Sequence, residues 1–324
     1  MNQSLLKKYN FDIDATVNTY AGELALPYVT AALLGSETIA KGRCRFLEGI
    51  VGSTVISGLA TTDTIQAANC SFAGGENVAL TEQVLNPSDL AVMEEVCRGT
   101  MYPTWIAANG RMQRNGDLPV AWSDFLLGAV AERTGTNLET LLWSGDAAAI
   151  FGTGFLSNDG VIDELGIDAS ACADFVEATT SAAAWDNTNI LANLSTIFDS
   201  AAAIPGILGK PGCGFYVSYE AYAFFLQAMA AQNTGAGFNQ SFEGANYLGY
   251  PVYATSGIPN TVDVAVFTYP DNLVVGANSY TADISAQLIP TYQYDGSDNV
   301  RISMRFAVGV QTAVAGDGVV GFLF

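Results

Sequence analysis

From Val300 to Val310 every even-numbered residue is apolar: Val300, Ile302, Met304, Phe306, Val308 and Val310. Arg301, Ser303, Arg305, Ala307 and Gly309 stand between them. A repeat of two puts alternate side chains on opposite faces of an extended backbone. Residues 300–312 therefore predict one strand with a core-facing side, much longer than the usual strand of about five or six residues. The run Ile284 to Tyr294 predicts its hairpin partner, across the turn Asp295-Gly296-Ser297-Asp298-Asn299.

A helical period takes over elsewhere. Trp122, Phe125, Leu126, Ala129 and Val130 recur at three and four residues, and Leu138, Leu141 and Leu142 resume that spacing after Gly135. This predicts a helix over 119–144, capped by Asp117 with Pro119 in its first turn, about 39 Å long if unbroken. Further helices are predicted over Asn189–Ile204, stopped by Pro205, and over Tyr219–Gln232. Phe215–Ser218, Tyr250–Tyr253 and Val262–Thr268 predict short strands.

The first hundred residues are less regular. Residues 1–45 hold a short helical stretch, Gly22 to Leu34, and read as an arm that packs on something else. Phe46–Ile56 and Val78–Val84 predict two strands flanking a polar tip, Ser57 to Asn77. A two-stranded ribbon is marginal alone in water, so it must rest on the body or on a neighbour. Ser88 or Asp89 suits the cap of a short helix through Cys97, which would turn Glu94 and Glu95 in different directions.

Composition narrows the classes. The chain has 324 residues, enough for one large domain or two ordinary ones. Only 14% are charged, against about 25% in ordinary proteins, while 50% are hydrophobic. Such a surface suits a protein covered by copies of itself. The net charge of -20 opposes tight binding to phosphate backbones, although it suits a container that must not stick to its contents. No signal peptide and no convincing membrane span is evident.

Candidate chemistry is sparse. Histidine is absent, which removes Ser-His-Asp and Cys-His catalysis and most catalytic zinc sites. The five cysteines, Cys44, Cys70, Cys97, Cys172 and Cys213, form no Cys-x-x-Cys pair and read as small buried hydrophobes. The loop Gly206-Ile207-Leu208-Gly209-Lys210-Pro211 lacks the first glycine and the Ser or Thr of a phosphate loop. Asp295 to Asn299 lacks the spacing of a calcium loop and reads as a turn. Arg301 and Arg305 lie on the non-core side of the long strand, facing either solvent or carboxylates across an interface. The reading is a non-enzyme with no catalytic, cofactor or metal site.

The order of these parts resembles the major capsid protein of tailed bacteriophages, the Hong Kong 97 fold. Leu141-Leu142-Trp143-Ser144-Gly145-Asp146 followed by Gly152-Thr153-Gly154-Phe155-Leu156 is similar to that family's helix end and glycine turn. Phe215-Tyr216-Val217-Ser218 before a helix resembles its strand-to-helix step, and Leu248-Gly249-Tyr250-Pro251-Val252 with Gly257-Ile258-Pro259 resembles its Gly-x-Pro-Val run. The resemblance implies an α+β fold: an N-terminal arm (1–45), an extended loop (46–100), a peripheral domain (101–146 and 281–324, with the spine helix and the long strand) and an axial domain (147–280).

It further implies a shell subunit that self-assembles into hexamers and pentamers around double-stranded DNA. Portal, scaffolding or decoration proteins would be partners, with the virion as location and the host bacterial cytoplasm as the place of assembly. Interface positions expected on this basis are Phe11, Asp12, Gly74, Gly75, Glu76, Asn77, Glu94, Arg301 and Arg305. Some family members join a loop lysine to a neighbour's asparagine; no lysine lies between 46 and 100, so that cross-link is not expected. Some members also carry a long cleavable scaffolding segment; with about 45 residues ahead of the loop, the expectation is a chain that either lacks that segment or has lost it. The alternatives are an encapsulin-type compartment, which shares the fold, and a secreted or surface-layer binding protein.

Overall fold

The computed structural model describes residues 18–21, 31–50, 52–61, 78–97, 122–144, 175–180, 183–231, 245–261, 263–278, 285–291 and 299–322, with a few short pieces between. The chain opens with β1 (Asn18–Ala21), the short helix α1 (Glu37–Ala40) and β2 (Arg45–Glu48). The strands β3 (Thr54–Thr61), β4 (Val78–Leu85) and β5 (Ser88–Cys97) precede the long helix α2 (Trp122–Ser144). Next come β6 (Val176–Thr179), α3 (Ile190–Ala203), β7 (Gly214–Ser218) and α4 (Tyr219–Ala231). Then follow β8 (Asn246–Tyr247), β9 (Tyr250–Thr255), β10 (Val264–Thr268) and β11 (Leu273–Asn278). The last strands are β12 (Ser285–Pro290), β13 (Asn299–Thr312) and β14 (Val319–Phe322).

β13 is the axis of the first sheet. One of its flanks carries β12 along Val300–Arg305 and then β11 along Ala307–Thr312. The other flank carries β5 along Asn299–Val308. β1 extends the sheet beyond β12, and β2 runs parallel to β11 at the far end. The alternation of the sequence holds in the first half of β13, where Val300, Ile302, Met304 and Phe306 are buried and Arg301 and Arg305 are exposed. From Ala307 both faces are covered. Gly309 explains why: a Cβ there would stand 2.7 Å from the Asn86 carbonyl oxygen and 2.9 Å from Pro87 Cα, so only glycine lets that segment cross the strand.

α2 lies on the even-numbered side of this sheet. Its Leu126, Leu127, Leu138 and Leu142 share one core with Leu90, Met304 and Phe306. The helix runs unbroken through Gly135, and its 23 residues span about 35 Å. Gly135 is needed for a contact: a Cβ would meet Gly35 Cα at 2.5 Å and the Ala32 carbonyl oxygen at 2.8 Å.

The second sheet has the order β6-β14-β10-β7-β9-β8, with β7–β9 and β6–β14 parallel and the other pairs antiparallel. Phe215, Val217, Ala265 and Phe267 face the core under α3 and α4, with Leu194, Ile197, Tyr222 and Phe225. Tyr216, Val264, Val266, Val320 and Phe322 point the other way and join the core of the first sheet around Trp143 and Phe155. The two cores are thus separated only by the thickness of a sheet.

Several sequence expectations need correction. Residues 88–97 form a strand, not a capped helix: Leu90, Val92 and Val96 lie on the even-numbered, core-facing side, interrupted by the exposed Glu94, while Asp89, Ala91, Met93 and Glu95 are exposed on the other. Pairing with ten residues of β13 outweighs the local cap signal. The expected strand Phe46–Ile56 is broken. Its first part is β2 in the body sheet; the chain then turns at Gly49 (φ 77°) before entering the ribbon at Thr54. The ribbon itself runs to Thr61, deeper into the polar segment than expected. Cys213 is buried as expected and Cys44 partly so, whereas Cys97 is exposed. The expected turn is present at Gly296 (φ 72°), and the Thr291 hydroxyl donates to the Asn299 carbonyl at 2.8 Å. Cys70, Cys172, the cap at Asp117, the glycine turn except Phe155, and most of the helical stretch Gly22–Leu34 lie outside the described residues.

Candidate subunit interface

Among the described residues no group of three or more Cys, Asp or Glu is placed to hold a metal. Gly206 takes φ 81°, Ile207–Gly209 forms a single tight turn, and Lys210 Nζ lies 5.3 Å from the centre of the Tyr269 ring, so the lysine loop is a packed turn. No helix among the described residues is long and apolar enough to cross a membrane.

Exposed large apolar side chains among the described residues include Leu34, Leu248 and Tyr294, and three more lie on the ribbon and β5. The foot of the ribbon belongs to its own subunit: Leu85, Ile56 and Ile50 pack with Val274 in a small separate core. A Cβ on Gly276 would stand 2.3 Å from Leu85 Cδ2, so the strand below is carved to receive that leucine. On the opposite face of the same stretch apolar side chains stand outward. Val55 and Val84 are cross-strand partners, 53% and 46% exposed. Eight residues at about 3.3 Å each carry the ribbon roughly 26 Å from its foot.

β5 is the second such surface. Among the described residues it pairs only with β13, which makes it an edge strand of the described sheet. Met93, 66% exposed, lies on its solvent face. Between this edge and α2 runs a recess of about 500 Å³ lined by Leu90, Val92 and Val96 of β5 and by Val130 and Leu141 of α2. An uncovered edge strand beside an apolar recess is the sort of surface that folded proteins blunt or cover.

The interface positions expected from the sequence are only partly gathered here. Glu94 is exposed on β5 and borders the same recess. Arg301 donates to Glu95 within its own subunit at 2.9 Å, in a pair exposed on both sides, so the first partner of Arg301 is not across an interface. The strand pairing of β5 with β13 sets Glu95 directly opposite Arg301, a placement that a helix over 88–97 would not predict. The ion pair contributes about 0–1 kcal/mol. Arg305 is exposed beside a recess of about 380 Å³ lined also by Asp89, Ala91 and Asn278. Phe11, Asp12, Gly74, Gly75, Glu76 and Asn77 lie outside the described residues. Sequence reasoning missed Val55, Val84 and Met93. The period of two across 88–97 was the signal available for the last of these.

No protein-family model matches the chain, and no curated protein matches it. Its backbone is nevertheless similar to that of solved structures across nearly its full length. The capsid of a native GTA particle matches over 90% of this chain and 90% of its own, with a TM-score of 0.56 at 16% identity. A structure from Microbacterium phage Oxtober96 matches over 89% and 90%, with a TM-score of 0.56 at 13% identity. The capsid of Myoviridae Phage XM1 matches over 89% and 92%, with a TM-score of 0.54 at 10% identity. The class is thereby defined: the chain has the α+β Hong Kong 97-type capsid fold. It resembles the major capsid proteins of tailed bacteriophages in fold, at identities too low to carry more than fold.

Proposed function

We propose that this chain is a major capsid protein, a non-enzymatic shell subunit that self-assembles into hexamers and pentamers of an icosahedral shell enclosing double-stranded DNA. The observation that carries the reading is the fold match over nine-tenths of both this chain and the capsid of a native GTA particle. The ribbon and the open β5 edge support it independently, since both are surfaces a monomer would have to hide. On this reading residues 1–45 are the arm, 46–100 the extended loop, 101–146 with 281–324 the peripheral domain, and 147–280 the axial domain. The ribbon tip, the β5 edge with Glu94, and Arg305 would meet neighbouring copies. DNA would lie near the shell without sequence-specific contacts, in keeping with the net charge of -20. Portal, scaffolding or decoration proteins are the further partners, the host bacterial cytoplasm is the site of assembly, and the virion is the final location.

Negative-stain electron microscopy of the purified chain tests this directly. Closed shells, or rings of five and six, are expected. Shells from infected cells should contain nuclease-protected DNA, whereas enzyme cargo in its place would favour an encapsulin-type compartment. A uniform monomer at micromolar concentration would overturn the shell reading.

A further inference from the structure

Residues 31–44 cross the place where α2 meets the second sheet, yet they add no strand to either sheet. Their polar contacts gather on two carboxylates. The first is Glu139 of α2, 1% exposed. Its Oε2 accepts from the Ser36 hydroxyl at 2.5 Å and the Thr38 N–H at 2.9 Å. Its Oε1 accepts from the Thr38 hydroxyl at 2.5 Å, the Thr255 hydroxyl at 2.5 Å and Trp143 Nε1 at 3.2 Å. Among the described residues no cation lies within ion-pair distance of this buried group. Three of its five donors therefore come from one short segment.

The second carboxylate is Glu37, on the segment itself. It accepts from Lys41 Nζ at 2.7 Å, from the Tyr219 hydroxyl of α4 at 2.9 Å and from the Ser256 N–H at 3.4 Å, with Arg43 Nη1 at 4.0 Å. The far end of the segment is fixed by Arg43, which donates to the Ala254 carbonyl at 2.8 Å and lies over the Tyr253 ring.

We propose that Ser36 to Cys44 is a detachable strap, latched to α2 and to the second sheet through Glu139 and Glu37, which opens as a unit while both sheets stay folded. The inference concerns motion inside one subunit and does not depend on the shell reading. A buried acceptor stripped of three donors is costly, so the hydrogen bonds to Glu139 hold the strap shut. Opening breaks no sheet ladder, because the sheets are closed by their own strands. The latch is acid-sensitive. Burial works to raise the pKa of Glu37, but the hydrogen bonds from Lys41 and Tyr219 outweigh it and hold the value below the ordinary 4.5. A lowered native pKa contributes stability above about pH 4.5 that is lost as pH falls through the native value. The other titratable groups facing the two carboxylates are Cys44, Lys41, Arg43 and Tyr219. Burial and then the charge of Glu139 push the Cys44 thiol up to about 12, so Cys44 stays neutral throughout that range.

Hydrogen exchange of the full chain, read peptide by peptide from pH 7 down to about pH 2 and corrected for intrinsic rates, tests the strap. In Glu139→Gln an amide group replaces one acceptor among donors. Exchange of 36–44 at pH 7 is expected to rise about tenfold or more, with the amides of β10 unchanged. In the native protein the strap should lose protection in acid before β10 does. Tyr219→Phe removes one donor that lowers the Glu37 pKa, so acid release should move to higher pH. The proposal fails if strap and β10 exchange rise together in Glu139→Gln, or if the strap does not respond. Should Glu139→Gln fail to fold, an unchanged release pH in Tyr219→Phe overturns it.

Discussion

Two glycines of α2 separate propensity from packing at the scale of single residues. Gly128 and Gly135 lie in the same helix, and in an exposed helix alanine is favoured over glycine by about 1 kcal/mol. A Cβ at Gly128 meets nothing within 4 Å, so Gly128→Ala is expected to raise stability by roughly 0.5–1 kcal/mol. At Gly135 the new Cβ would meet backbone atoms at 2.5 and 2.8 Å, which cannot rotate away. Overpacking of this kind costs about 1–3 kcal/mol and outweighs the propensity gain, so Gly135→Ala should lower the melting temperature. Thermal unfolding of both variants checks the opposite signs. The same logic applies in β13. Met304 is fully buried and Phe306 is 5% exposed, so Met304→Asp or Phe306→Asp buries an unpaired carboxylate at a cost of several kcal/mol and should abolish soluble expression. Ser303→Asp, at a partly exposed position, should be mild by comparison. Equal soluble yields for all three would mean that the face assignment is wrong.

At the scale of elements, the ribbon joins two roles that mutation can separate. Leu85 is fully buried at its foot, so Leu85→Ala should destabilise the subunit by about 2–5 kcal/mol. Replacing 62–77 with an Asn-Gly turn keeps the pairing of Thr54–Thr61 with Val78–Leu85 and changes closure entropy only modestly. That variant is expected to melt like the parent while failing to form closed shells, as judged by calorimetry and electron microscopy. A melting loss equal to that of Leu85→Ala would assign the tip to the subunit's own core. Elements with a one-sided environment were legible in the sequence: the first half of β13, β12, α2 and α3 each carry a period matching a single buried face. The strands β6, β11 and β14 were not. In β11 and β14 every residue is buried, so apolar positions run continuously and no period of two remains to be read. β5 did carry the period, but its Ser-Asp start imitates a helix cap. Glu139 was illegible for another reason: besides Trp143 one turn along the helix, its donors come from Ser36, Thr38 and Thr255, and no local pattern announces neighbours about a hundred residues away.

Charge decides the behaviour of the whole molecule. Each copy carries a net -20, so bringing copies together works against their mutual repulsion. Three of the 12 basic side chains are already engaged within the chain: Arg301 with Glu95, and Arg43 and Lys41 within the strap. The surfaces offered for contact are instead apolar or backbone, namely Val55 with Val84, Met93 and the β5 edge. Repulsion between exposed charges is screened over a Debye length that falls from about 30 Å at 0.01 M salt to about 3 Å at 1 M. Burial of apolar surface is not weakened by that screening. Assembly of the purified chain should therefore be promoted by sodium chloride, with the threshold concentration for large particles in light scattering falling as salt rises. A threshold that climbs with salt would mean that opposite charges hold the contacts, with Arg305 the first residue to test by substitution with Gln. Particles absent at every salt concentration would remove the premise that the apolar surfaces of the ribbon and β5 are made for copies of the same chain.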